Sequence, residues 1–297
     1  MLSVCIPTYR YDVRPLIREL LRQSAKLEQI IEILVYDDAS PDDGDWGREE
    51  LRQLPGIRYV ELEQNLGRAA IRNKMAQEAS FSYLLLLDAD GQVPPQFLSK
   101  YLLCLADIIV EKTSEDKALV LVGGRKYSNQ PPKDENLHLH WRYGTKRESR
   151  HVDRRGKEEW LGFQTNNFLV SRKPLLEYPF PEGGSGYGHE DTLWGQQMEA
   201  VGVPIYHIDN PVIHLGLETN DVFLRKQREA ISNLALLHQQ SPHLRTRLID
   251  LAKRFPVLKQ IVTFFPEGWL VRRLTSSHRP SFYWLDVLKL KWWFART

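Results

Sequence analysis

The stretch Tyr83-Leu84-Leu85-Leu86-Leu87-Asp88-Ala89-Asp90 decides how the rest of the chain is read. A short unbroken apolar run that stops at two carboxylates has the pattern of a strand buried on both faces. Upstream, Leu2 to Ile6 stopped by Pro7, Ile31 to Tyr36 ending at Asp37-Asp38, and Ile57 to Leu62 read the same way. Downstream, Ala118 to Val122 and Gln164 to Val170 follow, with short strands at Val203 to Ile208 and Val212 to Leu215. Between them, Asp12 to Gln23 sets Val13, Leu16, Ile17, Leu20 and Leu21 at helical spacing, and Gly67 to Ala79, Pro94 to Val110 and Asp221 to Gln239 read as helices. Apolar strands alternating with helices predict an α/β, Rossmann-like fold with a mostly parallel central sheet flanked by helices. Such sheets bind ligands beyond the carboxyl ends of their strands. Pro7-Thr8-Tyr9, Asp37-Asp38 and Asp88-Ala89-Asp90 all fall there.

Composition bounds the alternatives. With 297 residues, 42% hydrophobic and 26% charged, the chain holds one large domain or two small ones and is neither disordered, collagen-like nor a disulfide scaffold. Cys5 and Cys104, far apart in apolar segments, suggest a reducing compartment and no structural metal cluster. The chain opens without a basic-then-apolar leader, and no apolar run approaches the ~20 residues of a membrane span, so a cytoplasmic protein is expected. The formal charge of +2 is unevenly spread: His243 to Thr297 holds eleven Lys or Arg against three Asp or Glu. This tail interleaves the basic residues with Phe264-Phe265, Trp269, Phe282-Tyr283-Trp284 and Trp292-Trp293-Phe294. Two readings of it stay open: contact with anionic lipid at the inner face of a membrane, or a helical cap on the main domain. The polar stretch Arg125 to Gln164 is expected to be a long, partly mobile loop.

Several residue groups can carry chemistry. Asp88 and Asp90 at a strand end can share a divalent cation such as Mg²⁺ or Mn²⁺, although a bare Asp-x-Asp is also a common solvated turn. Asp37-Asp38 can accept hydrogen bonds from a base or ribose, or serve as a cap. Asn65-Leu66-Gly67-Arg68 opens a helix whose N-terminus, with Arg68 or Arg72, would attract phosphate; Arg72 could equally pair with a structural carboxylate. Glu190 and Asp191 follow the glycine-rich run Gly183 to Gly188 at a helix start, where a carboxylate could take a proton from a hydroxyl or simply serve the helix dipole. His214 closes an apolar strand and gains interest only beside a metal-binding Asp90.

In order, these motifs resemble a family 2 glycosyltransferase of the GT-A fold. The resemblance rests on Ser3-Val4-Cys5-Ile6-Pro7-Thr8-Tyr9, Val35-Tyr36-Asp37-Asp38-Ala39-Ser40, Asn65-Leu66-Gly67 with Ala70-Ile71-Arg72-Asn73, and Leu87-Asp88-Ala89-Asp90, and covers about residues 1–220. Glu190-Asp191 with Trp194 is similar to the acidic pair of this family and of the galactosyltransferase-like C-terminal half. The resemblance implies a catalytic domain over 1–240 and a basic, aromatic helical extension over 241–297. It implies that Pro7, Thr8, Tyr9, Asp38, Arg68, Arg72 and Asp88 bind the nucleotide-sugar donor, with Asp90 and His214 on Mn²⁺ or Mg²⁺. Asp191 would be the catalytic base and Glu190 would help hold the acceptor. The segment Leu161 to Phe168 would line part of the donor or acceptor pocket. The expected activity is an inverting, hexosyltransferase-type transfer from a UDP- or GDP-sugar to a glycan, lipid-linked sugar or polysaccharide precursor. The chain lacks the Gln-x-x-Arg-Trp motif and membrane helices of processive synthases, which favours transfer of single sugars. It carries Arg10 where the family often has Asn. The competing classes are a nucleotidyltransferase, whose glycine-rich loop is missing near Pro7-Thr8-Tyr9-Arg10, and a non-catalytic sugar-nucleotide-binding partner subunit. No groove-reading motif points to nucleic acid.

Overall fold

The computed structural model describes residues 1–112, 118–157, 160, 162–182, 188–276 and 280–297. In chain order its elements are β1 (Leu2–Thr8), α1 (Arg14–Ser24), β2 (Ile31–Asp37), α2 (Arg48–Gln53), β3 (Arg58–Glu61), α3 (Arg68–Glu78), β4 (Tyr83–Leu87), β5 (Gly91–Gln92), α4 (Phe97–Lys112), β6 (Val120–Val122) and β7 (Arg125–Lys126). They continue through α5 (His138–Tyr143), α6 (Val152–Gly156), β8 (Asn167–Ser171), α7 (Arg172–Glu177), α8 (Glu190–Ala200), β9 (Ile205–His207) and β10 (Val212–His214). Five helices complete the chain: α9 (Asn220–Gln240), α10 (Arg247–Arg254), α11 (Leu258–Thr263), α12 (Glu267–Thr275) and α13 (Phe282–Phe294).

The central sheet runs β3-β2-β1-β4-β8-β6-β9, and a three-stranded ribbon runs β5-β10-β7. The pairs β1–β2, β1–β4, β2–β3 and β6–β9 are parallel, as the continuous apolar runs require. β8 is antiparallel to both neighbours, Leu85 facing Leu169 and Val122 facing Phe168. One apolar layer, from α1 and α4, packs Leu16, Ile17, Leu20, Phe97 and Tyr101 against one sheet face. The other, from α3 and α8, packs Ile71, Met75, Trp194 and Met198 against the opposite face. α1 begins at Arg14 rather than Asp12 because the Asp12 carboxylate accepts the Arg14 N–H at 3.1 Å and Pro15 follows in the first turn.

The chain divides into two compact units. The first comprises Met1–Tyr127, Ser149–Glu182 and Glu190–Gly216, and holds both sheets. The second comprises Ser128–Glu148, Gly183–His189 and Leu217–Thr297, and so contains α5 and all of α9 as well as the 241–297 segment. In it, Phe223 of α9 stacks on His140 of α5 with ring centroids 5.0 Å apart, and Thr219 caps α9 at the Val222 N–H. The tail aromatics are divided: Trp292 and Trp293 are buried, Trp284 meets Trp269 edge-on at 4.9 Å, and Phe255, Phe264 and Tyr283 are exposed.

The expected mobile loop over Arg125 to Gln164 is corrected by the structure. It holds β7, α5, α6, a 3₁₀ turn at Glu135–Leu137 and a π-turn at Gly144–Glu148. The physical reason for order at its end is Arg155. Its buried guanidinium donates to the carbonyls of Val122 (3.0 Å), Gly123 (3.1 Å), Ile208 (2.9 Å) and Arg150 (3.2 Å). Burial draws the Arg155 pKa below the ordinary guanidinium value. Polar composition alone predicts a loop, but carbonyls facing inward at the end of β6 supply partners that hold the segment in place.

A comparable anchor closes the other face. Asn73 of α3 donates to Phe180 O (2.9 Å) and to Glu182 Oε1 (2.6 Å), and accepts the Phe180 N–H (2.9 Å). Asn73→Ala strands the buried Phe180 amide and carbonyl, so a loss of about 2–4 kcal/mol is expected in urea unfolding. An unchanged midpoint would show that Asn73 does not anchor this segment.

Candidate active site

The carboxyl ends of β1, β2 and β4 lie side by side, because these three strands are adjacent and parallel. Thr8 ends β1; its buried hydroxyl donates to Tyr11 O at 3.2 Å, and its carbonyl accepts the Asp38 N–H at 2.9 Å. Pro7 beside it is half-buried and Tyr9 is exposed. The loop beyond stays close to β2: the Arg10 N–H donates to Ser40 Oγ at 2.7 Å, and Arg10 pairs with Asp43.

The two residues of Asp37-Asp38 have different work. Asp37, ending β2, accepts the Ser40 N–H (2.9 Å) and pairs with Arg48 Nε (3.0 Å), so it holds its own loop. Asp38 accepts the N–H groups of Leu66 (2.7 Å) and Gly67 (3.0 Å), one on each carboxylate oxygen. It therefore fixes the start of α3 from a neighbouring strand. Burial pushes the Asp38 carboxyl up, against the pull of these two donors. Gly67 has φ +81°, a left-handed conformation that favours glycine.

α3 then presents two arginines. Arg68 is its exposed first residue. Arg72, one turn on, is only 3% exposed. Its guanidinium donates to Asp88 Oδ1 at 2.7 Å and to the Arg68 carbonyl at 3.2 Å. A second guanidinium, that of Arg125 on β7, stands 3.8 Å from Asp88 Oδ2. Asp88 thus sits between two cations.

Asp90 lies on the following turn, tied to the three-stranded ribbon: the Leu215 N–H donates to Asp90 O at 2.9 Å. His214 Nδ1 approaches Asp90 Oδ1 to 3.2 Å, while this buried oxygen receives no well-directed hydrogen bond among the described residues. Burial by itself would raise the Asp90 carboxyl, but His214, Arg125 and Arg68 outweigh it and hold the group below the usual carboxylate range. Gly216 makes the space: a Cβ there would come within 2.2 Å of Asp90 Oδ2. Among the described residues, no group of three or more His, Cys, Asp and Glu side chains forms a metal cage. Asp90 and His214 alone supply one hard oxygen donor and one imidazole. That fits a cation whose remaining positions are filled by phosphate and water.

Asp191 enters from α8. The helix is pinned by Trp194, whose Nε1 donates to Tyr178 O at 2.7 Å and whose rings lie 4.9–6.1 Å from those of Phe163, Phe168 and Phe180. Asp191 Oδ1 accepts the Thr192 N–H at 2.7 Å. Burial pushes its carboxyl above the ordinary value, against the Thr192 bonds and the positive charges of Arg125 and Arg72. The charge of Arg125, which flanks Asp88, therefore also acts on Asp90 and Asp191. Glu190, first in α8, is half-buried. Gly183 to Tyr187 of the preceding glycine run, and Leu161 of the segment expected to line the pocket, lie outside the described residues.

Sequence reasoning did not single out Arg125 or Gly216, and it named Asn166 only within the segment Leu161 to Phe168. Asn166 is 3% exposed, and neither atom of its amide has a hydrogen-bond partner among the described residues, although its carbonyl accepts the Asp88 N–H at 3.0 Å. Such a group calls for a polar partner. A cavity of about 490 Å³ lined by Tyr11, Ala89, Gly91, Gln92 and Leu215 adjoins the Asp90 turn. A larger one of about 700 Å³, lined by Ser80, Tyr83, Ser171 and Arg172, lies at the opposite end of β4. The carboxylates, not cavity size, mark the chemical end of the sheet.

Residues 3–178 match glycosyl transferase family 2, and the chain belongs to that family. The solved structures that it resembles share the GT-A fold. A mannosyltransferase from Pyrobaculum calidifontis, solved with GDP-Man and Mn²⁺, superposes at TM-score 0.52 and 17% identity, covering 80% of this chain and 64% of that one. Glucosyl-3-phosphoglycerate synthase from Mycobacterium tuberculosis, solved with Mg²⁺ and UDP, gives 0.52 at 18% identity, covering 79% and 78%. TarS of S. aureus gives 0.48 at 18%, covering 97% of this chain and 54% of that one. The chain thus spans less than two thirds of the mannosyltransferase and about half of TarS. Comparison with curated protein sequences finds no match.

Arg72→Met is expected to cost about 2–3 kcal/mol. That is below the ~3–5 kcal/mol of a fully enclosed broken pair, because Asp88 keeps Arg125 and some solvent. A wild-type denaturant midpoint would contradict the structural weight given to this pair.

Proposed function

We propose that the chain is an inverting glycosyltransferase that moves a hexose from a nucleotide-diphosphate sugar to an acceptor hydroxyl. The observation that carries this reading is the placing of Asp88 between Arg72 and Arg125 at the carboxyl edge of the sheet, two residues from Asp90, with Asp191 within the electrostatic reach of both arginines. Carboxylates for proton and ion handling stand beside guanidinia suited to phosphate.

In this reading Pro7, Thr8, Tyr9 and Asp38 border the base and ribose, and Asp88 meets the ribose. Arg68, Arg72 and Arg125 neutralise the diphosphate. Asp90 and His214 would hold Mn²⁺ or Mg²⁺, which supplies Lewis-acid stabilisation of the leaving diphosphate. Asp191 takes the proton of the acceptor hydroxyl, which Glu190 helps to hold. The acceptor oxygen bonds to the anomeric carbon on the face opposite the departing oxygen. The carbon–oxygen bond to the diphosphate breaks, and its electron pair leaves with the nucleoside diphosphate. The raised Asp191 carboxyl makes it a better base than an ordinary Asp. A glycan, lipid-linked sugar or cell-surface polysaccharide precursor suits the basic, aromatic C-terminal segment.

Release of UDP or GDP from a donor panel tests the class; pyrophosphate release would indicate a nucleotidyltransferase, and binding without turnover a non-catalytic subunit. Asp191→Asn is expected to lower turnover by about 10²–10⁴ with donor binding retained. Wild-type turnover would remove Asp191 from its role. The acid limb of kcat/KM should lie above the ~3.9 of an ordinary Asp, activity falling as Asp191 is protonated. Gly216→Ala should weaken Mn²⁺-dependent donor binding about 10–100-fold by displacing the Asp90 carboxylate, and calorimetry unchanged from wild type would refute that use of Asp90.

A further inference from the structure

Within the second unit, α10 and α11 turn one side inward and leave another bare. Ile249, Ala252 and Val262 are buried, whereas Leu251, Phe255, Val257, Ile261 and Phe264 are exposed, Phe264 by 82%. The spacing explains this. Leu251 and Phe255 are four apart, as are Val257 and Ile261, with Phe264 three further on, so each set occupies a helical face that the core does not use. Five large apolar side chains within fourteen residues exceed the scatter of single exposed hydrophobics on an ordinary surface.

The charges around them are predominantly positive, with Asp250 the exposed exception. Lys253, Arg254 and Lys259 are exposed among these apolar groups, and the Arg254 guanidinium lies 5.4 Å from the centroid of the Phe255 ring. The segment Arg245 to Arg273 contains seven Lys or Arg and two acids, Asp250 and Glu267. Glu267 is already engaged, accepting from Arg228 Nη1 and Trp292 Nε1, each at 3.1 Å. No helix among the described residues is long and apolar enough to cross a membrane.

We infer that this face docks on an anionic lipid bilayer, with Phe255, Val257, Ile261 and Phe264 entering the headgroup–acyl boundary and Lys253, Arg254 and Lys259 meeting the lipid phosphates. The side chains decide among partners. Branched aliphatics offer nothing to a nucleic-acid backbone, and the cations offer nothing to a purely apolar groove, whereas a charged interface takes both. Of the aromatic residues that the sequence draws attention to, Trp292 and Trp293 are hidden by the fold, whereas Phe264 is exposed and belongs to the docking set.

The test uses the full chain and needs neither donor nor acceptor, so its result is separable from that of the transferase reading. Flotation with phosphatidylcholine vesicles containing roughly one-third phosphatidylglycerol should carry the protein upward, and phosphatidylcholine alone or molar salt should lower the bound fraction about tenfold. The double variant Phe255→Ser/Phe264→Ser and the charge variant Lys253→Glu/Lys259→Glu should each lose binding about tenfold or more, with the wild-type far-UV spectrum and melting temperature. These are surface positions, so loss of fold is not expected. Failure of the wild type to float with anionic vesicles would overturn the inference. So would equal flotation of the variants. Concentration-dependent self-association that the Phe255→Ser/Phe264→Ser variant abolishes, without vesicle binding, would instead assign the face to a second copy of the chain.

Discussion

The ion pair between Arg72 and Asp88 is the constraint around which the first unit is arranged. A guanidinium 3% exposed is tolerable only if its charge is met. Asp88 meets it from the end of β4, and in doing so fastens α3 to the turn that carries Asp90. Arg125 approaches Asp88 from the other side. The aspartate–arginine set is therefore structural, and in the proposed reaction a bound diphosphate would compete with Asp88 for cations already held in place. Preorganised charge of this kind costs little reorganisation when the ligand arrives.

Asp38 and Gly216 serve the same end at the margins. Asp38 takes two N–H groups from the start of α3, so the helix terminus and its Arg68 are held by a residue of another strand. Gly216 acts by absence, leaving the volume that the Asp90 carboxylate occupies. Neither residue needs to touch a substrate for its loss to disturb one. This is why a reading of Asp38 as a pure base-binding group is incomplete: both of its oxygens already carry a backbone partner.

The sequence made the parallel part of the fold legible because each buried strand is a continuous apolar run that ends in polar residues, β4 most clearly. It made Asp88, Asp90, Arg72 and Asp191 legible for the same reason, since three follow directly from strand ends or helix starts. Arg125 was not legible, and Asn166 was legible only as part of a segment, not as a residue. Arg125 belongs to a two-residue strand in a side ribbon, too short for any periodicity. Asn166 precedes a strand that runs the other way, so its position at the carboxyl edge depends on a topology that apolar spacing does not encode. The order within Arg125 to Gln164 was illegible for a related reason. A run of cations suggests solvent, and only the three-dimensional fold reveals four carbonyls waiting for one of them.

The reversed direction of β8 has an evolutionary corollary. In an all-parallel sheet, each loop at the ligand edge follows its strand and can lengthen or shorten without disturbing what precedes it. Here the segment before β8 reaches that edge first and the strand departs from it, locked tooth by tooth between β4 and β6. A one-residue insertion inside β8 would turn its alternating side chains over and drive Phe168 and Leu169 each into the buried layer shaped for the other. Length is constrained ahead of the strand as well, because Phe163 is buried against Trp194 and the Asn166 carbonyl accepts the Asp88 N–H, so both ends of this segment are pinned to the sheet before β8 begins.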